Sequence, residues 1–233
     1  KDQHVADHAF QGPQALDDAL ARRHEDEFLF GPDLLVAPVH RRGATSRKVY
    51  LPPGEWVDFW TGERHSGPTE ITRQTPIDVI PLYLREGAIV AMAPEGIDTL
   101  VEATASGVKS YADEKETLVR VVPGEATSSR EFFNGLDVSV ETPSSGGVEV
   151  DVSIGQPDSG VDQEIRFAPE RVTLVVEAAG TQFASGPAEV TFAKGGSSMS
   201  LPEKTSCTQC WSFDTQRKLL RVRLDRAGRV TIE

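Results

Sequence analysis

Val148-Glu149-Val150-Asp151-Val152-Ser153-Ile154 sets four aliphatic side chains on one side of the chain and two acids and a serine on the other. A strand points successive side chains to opposite faces, so a period of two with one polar set describes a half-buried strand. Working outward, the pattern returns at Leu220, Val222 and Leu224, which alternate with Arg221 and Arg223. It resumes at Val230 and Ile232 after the turn Asp225-Arg226-Ala227-Gly228. The stretches 171–177 and 189–192 are strand-like as well. Strands at spacings of about 8–12 residues, with glycine and proline between them, predict antiparallel β-sandwiches. Strands and helices do not alternate, which argues against a parallel α/β fold. Pro143-Ser144-Ser145-Gly146-Gly147 and Gly195-Gly196-Ser197-Ser198 read as loops, and 94–115 is small, polar and acidic.

The first part of the chain adds one helix and a different kind of strand. After Pro13, the stretch Gln14 to Arg23 puts Leu16, Ala19, Leu20 and Arg23 on one face, with acids leading and bases trailing as the helix dipole prefers. Leu34-Leu35-Val36-Ala37-Pro38-Val39 is a continuous apolar run that fits a strand buried on both faces. Lys48-Val49-Tyr50-Leu51 and Trp56-Val57-Asp58-Phe59-Trp60 flank Pro52-Pro53-Gly54-Glu55 and predict a hairpin around a proline–glycine turn, closed by Thr61-Gly62. Further apolar runs cover 79–84 and 88–92, split by Glu86-Gly87. The expected fold is all-β: two antiparallel β-sandwich domains preceded by a short helix.

The chain has 233 residues, 38% hydrophobic and 26% charged, enough to bury a core of its own. Its 24 Lys and Arg against 36 Asp and Glu give a formal charge of −12. Such an acidic chain is repelled by phosphate backbones and anionic lipid, so neither nucleic acid nor a membrane is expected as a partner. The apolar run 34–39 is far short of the roughly 18 residues a spanning helix needs. All five histidines fall at or before His65, which denies the rest of the chain histidine acid–base or metal chemistry. The chain starts at Lys1 and its methionines are Met92 and Met199, so a processed or engineered product or a piece of something longer is expected.

Three strings in order carry a family resemblance. Phe28-Leu29-Phe30-Gly31-Pro32-Asp33-Leu34-Leu35-Val36-Ala37-Pro38-Val39 resembles the segment that leaves the catalytic barrel in family 31 glycoside hydrolases, which include α-glucosidases and α-xylosidases. The stretch from Arg47 to Gly62 is similar to the hairpin that follows there, and that from Thr75 to Val90 to the next strand pair. Residues 93–233 match poorly; Arg130-Glu131-Phe132-Phe133-Asn134-Gly135-Leu136 departs from the acidic turn of that family's last domain. The resemblance implies a lead-in over 1–27 that is the tail of a catalytic barrel, a proximal β-sandwich over 28–97 and a distal one over 98–233. It also implies an upstream (β/α)-barrel whose two aspartates do the chemistry and are not in this chain. No catalytic residue, cofactor or metal site is therefore assigned, and no compartment.

Trp56, Asp58 and Trp60 remain as candidates, because alternation puts them on one strand face. An indole–carboxylate–indole face could stack a sugar ring, or be buried against the missing barrel. An oligosaccharide is thus the alternative partner, and a free-standing carbohydrate-binding module or an adhesion sandwich the alternative function. Cys207-Thr208-Gln209-Cys210 lacks the further ligands of a zinc site and any thioredoxin-like setting, leaving a local disulfide or two free thiols. The acids Asp17, Asp18, Glu25, Asp26 and Glu27 read as a solvated helix face and its flank.

Overall fold

A computed structural model describes residues 24, 26–132, 134–156 and 168–233. The helix expected over 14–23 lies outside the described residues. The chain divides into two compact units, Lys1–Ala88 and Ile89–Glu233. The sequence places this boundary near residue 98. The structure divides earlier because Ile89 to Met92 pair with the strand at Val121 to Leu118.

In the first unit, β1 (Phe28–Phe30), β2 (Leu34–Val36), β3 (Ser46–Asp58), β4 (Arg64–Gln74) and β5 (Leu82–Arg85) form one antiparallel sheet in the order β1-β2-β5-β3-β4. Its core gathers Leu35, Ala37, Val49, Tyr50, Leu51, Trp56 and Tyr83, with Leu29 and Ile71 against it.

The expected hairpin at Pro52–Glu55 is absent. Instead β3 runs through those residues as one 13-residue strand paired with β4 on both sides. Pro52 and Pro53 have no N–H to give a ladder. The strand absorbs them as a bulge, with Leu51 opposite Thr69 and Gly54 opposite Gly67, so two residues of β3 face one of β4. Gly54 takes a φ of 123° that other residues resist. The chain reverses later. There Asp58 Oδ1 accepts the backbone N–H of Trp60 at 2.8 Å and of Thr61 at 2.9 Å, and Gly62 adopts a φ of 74°.

The second unit is a two-layer sandwich. Its strands are β6 (Ile89–Met92), β7 (Glu116–Val121), β8 (Ser128–Glu131), β9 (Leu136–Glu141), β10 (Val148–Ile154), β11 (Arg171–Glu177), β12 (Val190–Lys194), β13 (Ser197–Ser200), β14 (Cys210–Asp214), β15 (Leu219–Leu224) and β16 (Gly228–Ile232), with the one-turn helix α1 (Tyr111–Glu114) before β7. One sheet has the order β13-β12-β16-β10-β9-β8 and the other β14-β15-β11-β7-β6. Their inner faces share one core, to which Val148, Val150, Val152, Leu220, Val222, Leu224, Val230 and Ile232 all contribute. The period-two reading of these strands holds residue by residue. Two details differ. The β7–β11 pair is parallel. Ser197 to Ser200, read partly as loop, forms the exposed edge strand β13 because it pairs with β12 across a turn at Gly195-Gly196. Beneath the β7–β11 pair, Arg120 donates to Glu177 through Nε at 2.8 Å, both side chains being buried.

Gly67 faces the bulge so closely that a Cβ there would lie 1.9 Å from the Pro52 carbonyl oxygen. Forcing a methyl group into such a contact shifts backbone and typically costs about 1–3 kcal/mol. Gly67→Ala is expected to lower unfolding stability by about that amount, read as a lowered urea midpoint of the first unit's transition, with the second unit's unchanged.

Candidate functional site

The three sequence candidates do not share a strand face. Trp56 and Asp58 lie on β3, whereas Trp60 falls beyond the strand in the reversal. Trp56 is 0% exposed and sits in the first unit's own core. Its Nε1 donates to Pro52 O at 2.8 Å, and the Arg85 guanidinium lies over its ring at 4.9 Å. A ring so enclosed has no face left for a sugar. Asp58 is buried; besides the two turn amides, its carboxylate accepts Arg73 Nε at 2.7 Å. Trp60 is half-buried, its Nε1 donating to Ile80 O at 2.7 Å and its ring meeting Phe59 edge-on. Each is accounted for by bonds within the unit.

The densest cluster of titratable groups lies elsewhere, around a cavity of about 500 Å³ lined by His24, Asp26, His40, Arg47, Lys48 and Glu70. Arg47, near the start of β3, reaches Asp26 Oδ1 at 3.2 Å and Glu27 Oε2 at 3.3 Å. His40 Nδ1 lies 3.2 Å from the other Asp26 oxygen. Lys48 Nζ holds Glu70 at 2.6 Å and keeps its carboxyl below the ordinary range. The sequence treats Asp26 and Glu27 as a solvated flank, but Glu27 is 1% exposed. It turns inward because β3 offers it both Arg47 and the N–H of Tyr50, 3.0 Å from Oε1. His24 stacks on Tyr50 at 5.2 Å between ring centroids, with Nδ1 3.5 Å from Glu27 Oε1. Asp17, Asp18 and Glu25 lie outside the described residues. The arrangement pairs Asp26, Glu27 and Glu70 each with a cation and fastens His24, Asp26 and Glu27 to β3 and β4. The sequence carries no distinctive signal for it: Glu27 merely ends the acidic run Glu25-Asp26-Glu27, and Arg47 stands twenty residues on.

Cys207 and Cys210 form a disulfide with Cα atoms 6.0 Å apart, so of the two sequence readings the local bridge is the one present. Among the described residues no cluster of three or more metal-ligating side chains occurs, and no helix is long and apolar enough to cross a membrane.

Burial pushes the Glu27 carboxyl up from 4.5 to about 8, against the lowering pull of the Tyr50 amide and Arg47. A raised folded pKa means that the fold prefers the protonated acid. Its contribution is full below 4.5 and is lost as pH rises through about 8. Glu27→Gln keeps an oxygen acceptor for Tyr50 without the charge. It is expected to match the parent at low pH and to exceed it by roughly 1–3 kcal/mol at pH 8–9. Denaturant midpoints measured across that range check this; a gap that does not widen with pH contradicts it.

Comparison with known proteins agrees with this architecture. The family model for the glycosyl hydrolase family 31 C-terminal domain matches residues 8–90. An isomaltosyltransferase from Sporosarcina globispora is 28% identical over 205 residues, covering 85% of this chain and 17% of that protein. An α-xylosidase from Saccharolobus solfataricus is 33% identical over 87 residues, covering 37% of this chain and 12% of that one. A Flavobacterium johnsoniae family 31 dextranase, solved with glucose, shares the fold with a TM-score of 0.66 at 21% identity, over 93% of this chain and 28% of that chain. The chain thus spans less than a third of the length of each of these relatives. Over residues 8–90 the chain matches the C-terminal domain of glycosyl hydrolase family 31, and its relatives carry that region as a minor part of a longer polypeptide.

Proposed function

We propose that this chain is the non-catalytic C-terminal β-sandwich portion of a glycoside hydrolase acting on α-linked O-glycosyl bonds, and that it supports a catalytic (β/α)-barrel encoded upstream in the same polypeptide. The observation that carries the reading is the asymmetry of coverage: 85% of this chain corresponds to only 17% of the isomaltosyltransferase. The α-linked substrate class is our inference, supported by relatives named an α-xylosidase and an α-glucosidase.

The chemistry of the acids supports this division of labour. Retaining hydrolysis of a glycoside needs two carboxyls about 5–5.5 Å apart across the scissile bond, one ionised and one protonated. In the first unit three acids, the buried Asp58 and Glu27 and the exposed Asp26, are already committed. Asp58 holds two turn amides and Arg73, Glu27 holds the Tyr50 amide and Arg47, and Asp26 holds Arg47 and His40. These are groups that stabilise a fold, not groups poised to attack or protonate a sugar. The role left to the chain is mechanical: a rigid β-rich body against which a barrel keeps its shape.

The test is a side-by-side assay of the 233-residue chain and the full-length polypeptide on 4-nitrophenyl α-glucoside, 4-nitrophenyl α-xyloside and isomaltose. Turnover is expected from the full-length polypeptide alone, with retention of anomeric configuration. Turnover by the 233-residue chain, or a full-length polypeptide without a barrel, overturns the reading.

A further inference from the structure

The first unit's sheet is apolar on both sides. Residues directly opposite in an antiparallel ladder share a face. Leu29, Leu35 and Tyr83 are opposite one another and belong to the unit's core. The alternate rows run Phe28–Val36–Leu82 and Phe30–Leu34–Leu84–Val57. All seven of these side chains are apolar and lie outside the two described clusters, the one around Trp56 and Tyr83 and that of the second unit. Burial falls along the rows. Val57 and Leu84 are fully buried, Leu34, Val36 and Leu82 are half-buried, and on the edge strand Phe28 is 37% and Phe30 69% exposed.

We propose that the exposed part of this second face, carried by Phe28, Phe30, Leu34, Val36 and Leu82, is a docking surface for an apolar wall of the polypeptide that precedes this region in its relatives. The inference rests on the proposed function and deepens it by naming the surface. Three observations select the occupant. The face belongs to the unit matched by the C-terminal-domain model, and the relatives extend well beyond it in length. It is carried foremost by β1, the first strand, so a body preceding in sequence reaches it without a long connection. Its chemistry is that of a protein contact: contiguous exposed apolar side chains mark a surface that another protein surface covers.

A saccharide is disfavoured by the same face. Sugar sites combine a stacking ring with polar groups placed for the hydroxyls. Here the first charged side chain along the Phe30 row is Arg64, opposite Val57 on β4, and it is paired with Glu86 at 3.2 Å. The rows between offer no hydrogen-bonding side chain to a ligand.

Covalent footprinting of the full-length polypeptide tests the proposal, with Met199, 49% exposed in the second unit, as the reference. Labelling of Phe28 and Phe30 is expected to be lost relative to Met199, at concentrations where the polypeptide sediments as a monomer and without added sugar. Phe30 labelled as freely as Met199 overturns it. So does protection that appears only in dimers, which assigns the face to a second copy, or only with isomaltose, which assigns it to a saccharide. Because Phe30 is largely exposed within its own unit, Phe30→Asp leaves that unit folded. Cleavage of a transiently opened state tracks its population, so protease is expected to cut this variant of the full-length polypeptide just ahead of residue 28 about tenfold faster. An unchanged rate contradicts the proposal. Hydrolysis of 4-nitrophenyl α-glucoside, followed in parallel, separates the two claims. An active polypeptide with a reactive Phe30 rejects the docking surface alone, and an inactive one with a protected Phe30 rejects the function alone.

Discussion

The carbonyl oxygen of Pro52 lies in the middle of the longest strand, accepts the indole N–H of Trp56 at 2.8 Å and abuts Gly67 across the ladder. Two prolines in succession remove two donors from β3, and a strand that loses donors must end or bulge. Here it bulges, and the bulge frees a carbonyl that the ladder no longer uses. Trp56 takes it up. An indole N–H buried without an acceptor costs about 1–3 kcal/mol, so the largest side chain of this core depends on that liberated oxygen. Because β3 continues past the bulge, its far end pairs with β4 on one side and β5 on the other. The order of the whole sheet follows from one strand not turning.

The same strand is tied down near its beginning and at its end by a buried acid. Glu27 accepts the Tyr50 amide and meets Arg47; Asp58 accepts the Trp60 and Thr61 amides and meets Arg73. In both cases the carboxylate substitutes for a backbone acceptor where the ladder stops or a loop arrives, and an arginine offsets part of the cost of desolvating the charge. Burial outweighs the donors at Glu27, whose carboxyl is pushed up to about 8. The fold therefore favours the protonated form of that acid more than water does.

Much of this architecture is written in local pattern. The alternation at Val148 to Ile154 and at Leu220 to Leu224 survives intact because each strand has one dry and one wet face, and pattern reads that condition directly. The pattern misleads where a local signal has two structural meanings. Pro52-Pro53-Gly54 is good turn chemistry and equally good bulge chemistry; what decides is Gly67 on the opposite strand, 13 residues away, whose lack of a side chain makes room. Trp56, Asp58 and Trp60 look like one face because alternation was carried two residues too far. Asp58 caps the reversal, and Trp60 lies beyond it. Glu27 is invisible from sequence because nothing local distinguishes an acid that faces water from one that faces an arginine twenty residues on.

The two units satisfy the rule that a sheet's apolar faces must be covered in different ways. In the second unit the two inner faces cover each other. The outer face of the six-stranded sheet is polar, with Arg229 donating to Asp151 at 2.9 and 2.8 Å and to Glu149 at 3.0 Å. The facing sides of that unit's two sheets bury each other's strand residues in one core. In the first unit, one face of the sheet builds the core around Tyr83 and Trp56, and the other remains apolar out to an edge strand bearing two phenylalanines. A short, exposed apolar edge invites pairing with other chains, and a sheet that is to stand alone carries charge or proline there. Phe28 and Phe30 are neither. On the docking surface proposed above, the sequence around β1 makes sense as the edge of a part rather than of a sheet that stands alone.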